Sequence, residues 1–278
     1  MPEGPEVETV RRSLEPLLLG KILRAPYVSR KKLRTAISKK DLVVVEGATV
    51  SGLFRKGKLL GIATDRGAGL FVRLGMTGRL LVEEKKKKPA LHTHVRFALH
   101  TSDAETGKEL RFVDPRRFGE VVAYAGDEAR DAELDRIGPD GLALDDAGRN
   151  DVVRRLQATT RVVKNALLDQ SIVGGVGNIY AAEALFEAGV SPFVSSADLD
   201  DGTALRLVRA VERVLRQGVE NRGTSFSDYV DAEGKQGDNA QRLKVFQREG
   251  GACVVCGDVV ARVVQGARST FYCPTCQR

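Results

Sequence analysis

The chain has 278 residues, 42% of them hydrophobic, long enough for one large domain or two ordinary ones with a real core. No apolar run approaches the roughly 20 residues of a membrane span and no apolar signal-peptide region opens the chain, so a soluble intracellular protein is expected and a membrane protein is not. Lys and Arg number 44 against 37 Asp and Glu, a net +7, and this basic balance points to a polyanionic partner, either nucleic acid or an anionic surface.

The first stretch, "MPEGPEVETV", predicts an amphipathic helix almost at the start. Val7, Val10, Leu14 and Leu17 recur at helical spacing after two prolines. Termini fray unless something holds them. An initiator Met before a small residue is normally removed, which would leave Pro2 carrying the free amine. An α-amine titrates around 7.7–8, so part of it is unprotonated near neutrality and can attack an electrophilic carbon. A proline amine still forms a charged iminium with a sugar carbon. Glu3 and Glu6 lie close enough in sequence to act as acid or base and as an anchor for the ammonium. A capped surface helix whose acids complement its dipole explains the same ten residues equally well.

From about Lys21 to Ala125 the chain reads mainly as strands, including "DLVVVEGATVSGLFRKGKLLGIATD", "AGLFVRLGMTGRLLVEE", "HTHVRFAL" and "KELRFVDPRRFGEVVAYA". Gly, Asp and Lys clusters punctuate them, and strands with one leading helix suggest a β-sandwich with the helix against it. "RLGMTGRL" places Met76 in one turn, and "DPRRFGEV" places Arg116, Arg117 and Phe118 in another. A basic residue beside an aromatic wedge can hold open a duplex step, although Met76 and Phe118 could equally be core residues. The run Lys85–Lys88 reads as a solvated loop. His92, His94 and His100 have no metal-ligand spacing and no catalytic role on sequence grounds.

From Asp127 the strand pattern gives way to "GDEARDAELDRIGPDGLALDD", read as an acidic linker. Residues from Ala147 to about Asn221 then read as helices, the longest marked by Leu205, Val208, Val211, Leu215 and Val219. Before one of them, "VGGVGN" could cradle an anion against a helix N-terminus, with Arg161 and Lys164 nearby; a plain tight turn is the alternative. The loop "RGTSFSDYVDAEGKQGDNAQ" is too polar and Gly-rich for a core element. All four cysteines follow, as Cys253-Val-Val-Cys256 and Cys273-Pro-Thr-Cys276 with sixteen residues between. Paired C-x₂-C at this separation reads as a Cys₄ zinc site, closed and therefore structural, with two disulfides or free thiols as the alternative. Arg268 would lie near the tip of the hairpin between the knuckles.

Taken together, "MPEGPEVETVRRSLEP", "RKGKLL", "LGMTGRL", "DPRRFG", "VGGVGNIYAAEALF" and "ARSTFYCPTCQ" resemble, in order and across essentially the whole chain, the formamidopyrimidine-DNA glycosylases of bacteria. The resemblance implies an α+β protein. A β-sandwich with a flanking helix would span residues 1–130, a helix–two-turn–helix DNA-binding domain with a lesion loop 131–240, and a Cys₄ zinc-finger β-hairpin 241–278. It implies excision of 8-oxoguanine and ring-opened purines from duplex DNA by a bifunctional glycosylase and abasic-site lyase of the base-excision repair pathway. One structural Zn²⁺ would be held by Cys253, Cys256, Cys273 and Cys276, and the protein would be a cytoplasmic monomer partnered by damaged double-stranded DNA.

By the same resemblance Pro2 is the nucleophile and Glu3 the acid for the sugar oxygen. Lys58 and Arg268 act at the phosphates around the lesion and complete the catalytic set. Met76, Arg116 and Phe118 fill the void left by the flipped nucleotide, with Arg116 facing the orphaned cytosine. Lys164, Asn178, His94 and Glu6 join the DNA-facing set. Several positions depart from the family pattern. Gly4 replaces the usual Leu, so that "MPEGPE" opens like the sister enzyme endonuclease VIII, which prefers oxidised pyrimidines. Arg73 replaces a His before "LGM", and Asp238 and Asn239 stand where an aromatic residue is common. A pyrimidine-specific enzyme and a catalytically silent binder of damaged DNA are the alternatives.

Overall fold

The computed structural model describes residues 2–225, 229–232 and 234–278. They form two compact units. One comprises the chain up to Asp135 together with Arg222–Asp238; the other comprises Arg136–Asn221 with Asn239–Arg278.

The first unit starts with helix α1, Gly4–Leu18. Pro5 sits in its first turn, where a missing N–H costs nothing. Val7, Val10, Leu14 and Leu18 are buried; the stripe closes on Leu18, while the expected Leu17 is half-buried. The helix packs on strands β2 (Val50–Lys56), β3 (Leu59–Thr64) and β5 (Arg79–Glu84). Two antiparallel four-stranded sheets follow. One has the order β1-β6-β7-β5, adding β1 (Ile22–Val28), β6 (Thr93–His100) and β7 (Glu105–Val113). The other has the order β2-β3-β4-β8, adding β4 (Ala68–Arg73) and β8 (Glu120–Ala125). Leu14, Ile62, Val72, Phe97 and Phe112 belong to one core between them, each contributing about 1.5–3 kcal/mol relative to exposure.

An ion-pair group ties α1 to β2. Glu8 accepts from Arg11, Arg12 and Arg55 at 2.8–3.2 Å. Burial works to raise its pKa, but the guanidinium donors win and hold it at about 2.

Three stretches differ from the sequence expectation. Asp41–Val45, expected to begin a strand, is a 3₁₀ turn; Leu42 and Val45 reach the core at a spacing of three while Val43 and Val44 face solvent. Asp127–Leu134, expected as linker, is a short helix, α2, with no buried residue and thus no apolar stripe to betray it. Arg73 pairs with its Glu133. Finally, the polar loop after residue 221 contributes Tyr229 and Ala232 to the first core. This segment counts with the sandwich, whereas the sequence division set it within the helical domain.

In the second unit, α3 (Asp146–Gln157) and α6 (Asp201–Glu220) begin on aspartate caps, Asp145 and Asp200, which accept from main-chain N–H groups. Between them lie α4 (Val163–Leu167) and α5 (Asn178–Ala188). Strands β9 (Ala261–Gln265) and β10 (Arg268–Tyr272) form the C-terminal hairpin. Val260, Phe271 and Cys273 share one core with the helices, so the hairpin is packed rather than appended. Among the described residues no helix is long and apolar enough to cross a membrane.

A candidate nucleic-acid interface and a zinc centre

The N-terminal residues are held still by three main-chain bonds. Pro2 is buried, and Glu3, 2% exposed, is the residue at the N-cap of α1. Its N–H donates to Glu6 Oε2 at 2.8 Å, while Thr224 N donates to Glu6 Oε1 at 2.7 Å. Tyr229 Oη donates to the Glu6 carbonyl at 3.3 Å. A Cβ on Gly223 (φ +84°) would come within 3.1 Å of Glu6 Oε1, so only glycine lets the chain pass so close. Glu6 was expected among DNA-facing residues. At 2% exposure and with both oxygens on main-chain N–H groups, it instead braces Glu3 from within.

Lys58 lies half-buried in the Gly57–Lys58 turn between β2 and β3. Arg55 donates both to the Gly57 carbonyl (2.9 Å) and to Glu8 of α1 (3.2 Å), so one guanidinium sets this turn relative to the helix that carries Pro2 and Glu3.

Met76, Arg116 and Phe118, expected in two separate turns, are brought together. The link is Asp114, fully buried. Its Oδ1 accepts from Thr77 Oγ1 (2.6 Å) and Arg116 N (3.3 Å), and its Oδ2 from Gly119 N (2.8 Å). Gly75 (φ +63°) lets the turns touch, since a Cβ there would lie 2.6 Å from Phe118 C and Gly119 N. Met76 and Phe118 are 38% and 47% exposed, and the Arg116 guanidinium sits 4.9 Å over the Phe118 ring. His92 and Arg117 on either side of Asp114 have φ of +69° and +58°. Such non-glycine strain costs on the order of 1–3 kcal/mol each and persists only where surroundings impose it. Met76 and Phe118 are thus exposed side chains on an immobilised, strained turn and not core residues.

Asp114→Asn puts an amide against N–H or O–H donors and leaves at least one buried donor unpaired, a loss of about 1–3 kcal/mol. At about 2–4 °C per kcal/mol for a protein this size, Tm should fall by several degrees, with faster amide exchange at Arg116 and Gly119. Unchanged Tm and exchange would show that the turns hold without this carboxylate.

His94 corrects a second expectation. It is 2% exposed, with Nε2 donating to the Asp114 carbonyl at 3.0 Å and Nδ1 paired with Ser29 Oγ at 2.8 Å. Burial lowers its pKa below the usual 6.5. Both ring nitrogens are used inside the fold, so His94 supports the Asp114 turn from behind rather than facing a ligand.

In the second unit, Asn178 opens α5 and donates through Nδ2 to Ser269 O at 2.9 Å, leaving its buried Oδ1 without a partner. Lys164 donates to the same carbonyl at 3.5 Å. It is fully buried, so the expectation of a DNA-facing lysine gives way to a brace for β10. Both bonds fix the residue next to Arg268, which is exposed at the start of β10. Arg161 is paired with Asp169 at 3.0 Å.

The four cysteines converge, all sulfurs lying within 4.8 Å of one another. Sγ of Cys253 and Cys276 are 3.9 Å apart, and those of Cys256 and Cys273 are 3.5 Å apart. A tetrahedral ZnS₄ unit with Zn–S about 2.3 Å sets these separations near 3.8 Å. The cluster is therefore a structural zinc site, with every position taken by thiolate. Cys256→Ser should drop zinc from one per chain to well below it by atomic absorption and loosen the hairpin; full zinc content would refute the four-thiolate site.

The signal missed in the sequence was long-range. Asp114 and Thr77 stand inside "DPRRFG" and "LGMTGRL", but nothing local gives them a role, and only the fold joins those two turns through Asp114 and sets Gly223 against Glu6.

Three segments of the chain match known family descriptions. Residues 1–121 match the formamidopyrimidine-DNA glycosylase N-terminal domain, residues 137–230 the H2TH domain of the same enzymes, and residues 250–278 a zinc finger found in FPG and IleRS. The chain is 39% identical to the formamidopyrimidine-DNA glycosylase of Xanthomonas axonopodis pv. citri, with 100% of each chain covered. It superposes on the crystal structure of MutM (Fpg) from Thermus thermophilus with a TM-score of 0.86 at 39% identity, covering 99% of this chain and 98% of that one. The Lactococcus lactis Fpg, solved in complex with abasic-site DNA, matches with a TM-score of 0.88 at 27% identity over 99% of both chains.

Proposed function

Because the chain belongs to the formamidopyrimidine-DNA glycosylase family, and is on that ground a DNA glycosylase, we propose that it excises oxidised purines from duplex DNA and then cleaves the strand. The observation that carries this reading is the fixed N-terminus: Pro2 buried, and Glu3 held by a Glu6 carboxylate pinned from the other side by Thr224. A nucleophile held in place avoids the entropy of finding its target.

A base inside a duplex is out of reach, so the nucleotide must leave the stack at a cost of a few kcal/mol. Met76, Phe118 and Arg116 supply apolar and cationic surface for the vacated step, which offsets part of that cost. The amine of Pro2, free once Met1 is removed, attacks C1′. The new N–C1′ bond replaces the bond to the base, which leaves with its electron pair and takes up a proton from water, while the adduct nitrogen gives up its N–H proton to water and regains the lone pair that opens the ring. Glu3 protonates the sugar-ring oxygen as the ring opens, and the C1′ adduct becomes a cationic iminium. That cation acidifies the C2′ proton. Its loss expels the 3′ phosphate, and a second elimination expels the 5′ phosphate. Lys58 and Arg268 are the cations assigned to those phosphates. Water then hydrolyses the remaining imine and frees Pro2.

Borohydride trapping tests the scheme directly. The protein, with Met1 removal verified by mass, should give a covalent adduct with a duplex carrying 8-oxoguanine opposite cytosine. A stronger adduct on a thymine glycol duplex would keep the mechanism and reassign the base. No adduct on either, with DNA still bound, would favour a silent binder.

A further inference from the structure

Three segments on the first unit contain no acidic residue: 27–40, 85–100 and 115–119. Together they carry thirteen Lys and Arg, in a chain that overall has 37 acids against 44 bases. Far apart in sequence, they are bonded into one surface. Ser29 N donates to His94 O at 2.8 Å, Asp114 N to His92 O at 3.0 Å and Arg34 N to Gly119 O at 3.3 Å. Arg117 Nη1 reaches Lys32 O at 3.5 Å, and the His94 ring joins Ser29 to the Asp114 carbonyl. Leu33, buried in the first core, anchors the 29–34 segment from below.

The cations left over are the informative ones. Arg34 is drawn to Glu120, Lys85 to Glu105 and Lys87 to Glu83. Arg30, Lys31, Lys32, Lys86 and Lys88 are exposed and form no ion pair among the described residues. The backbone beneath the lysine run is itself fixed, because fully buried Arg111 donates to the carbonyls of Glu84, Lys85 and Lys87. Lys88 then lines a groove with His92, Arg96 and Tyr27, whose ring is capped by the Arg96 guanidinium at 4.4 Å. A large field of one sign on a rigid frame raises self-repulsion, and its compensation is an oppositely charged partner.

We infer that Arg30, Lys31, Lys32, Lys88 and Arg117 form a binding face for the phosphate backbone of duplex DNA that acts without regard to a lesion, beside the Met76, Arg116 and Phe118 wedge. The inference rests on the glycosylase reading above. Its chemical class follows from the surface: repeated point cations on fixed backbone suit a repeated anion, and the neighbouring acids Glu83, Glu105 and Glu120 are already held by Lys87, Lys85 and Arg34. The face would hold the protein on undamaged duplex during search and set its salt sensitivity.

The test is binding of undamaged duplex across a salt series, followed by fluorescence anisotropy. The triple variant Arg30→Ala/Lys31→Ala/Lys32→Ala should flatten the slope of log K against log salt by about 2 to 3, at about 0.9 for each lost phosphate contact. Lys88→Ala/Arg117→Ala, on different segments, should flatten it by about 2 on the same basis. The control Arg209→Ala/Arg216→Ala, exposed on α6, should leave it unchanged. Unchanged slopes in both first variants would overturn the face while leaving the glycosylase reading intact, and an equal fall in the control would assign the effect to net charge and overturn it too. A wild-type protein that trapped no lesion and bound no duplex would instead remove the reading on which the face rests.

Discussion

Pro2→Gly is expected to abolish the borohydride-trapped adduct and lower strand cleavage by about 100-fold or more, with binding of the lesion duplex largely retained. The magnitude follows from position and from chemistry. Proline fixes its own φ and holds the nitrogen in the ring, whereas glycine at the same site is the most conformationally free residue. A misplacement of about 1 Å at a reacting centre can cost 100-fold. Chemically, the proline adduct is a permanent iminium cation, so every covalent complex acidifies the C2′ proton. A glycine imine does so only while protonated. Binding survives because Met76, Arg116, Phe118 and the Asp114 bonds that hold them are untouched. Single-turnover cleavage and adduct yield measure it, and near-normal values for both would mean that another group is the nucleophile.

How much of this was legible in the sequence depended on the range of the interaction. Most of the α1 stripe, most strands, the centre of the α6 stripe (Val208, Val211 and Leu215) and the cysteine knuckles are written in spacings of a few residues and lie where they were expected, whereas Leu17, Leu205 and Val219 are half-buried and Asp41–Val45 is not a strand. Residues whose meaning comes from a distant partner were misread or passed over. Glu6 looked like a surface acid because Thr224, which pins it, lies 218 residues away. Lys164 looked like a phosphate ligand because its carbonyl acceptor is on β10, 105 residues on. His94 lacked metal spacing, and nothing local says that it joins Ser29 to Asp114 across two other segments. The three corrections share one physical reason. A charged or polar group is placed on the surface by default, since burying it alone is costly, and only knowledge of its partner reverses the default.

That same pairing sets up the sharpest separation of steps. Glu3→Gln should reduce excision of 8-oxoguanine by about 100- to 10,000-fold, the range of a lost general acid, and reduce cleavage at a preformed abasic site much less. Glutamine has nearly the shape of glutamate, and the main-chain N–H of residue 3 would still donate to Glu6, so α1 should start where it does now. What disappears is the proton. Opening the sugar ring with the base attached requires protonating its oxygen as Pro2 attacks, whereas an abasic sugar already equilibrates with its open aldehyde and offers C1′ to the amine without that step. The two substrates therefore share the iminium and its eliminations and differ in the step assigned to Glu3. Equal losses on both would place Glu3 in the eliminations instead, and no loss on either would return it to the role of a helix cap.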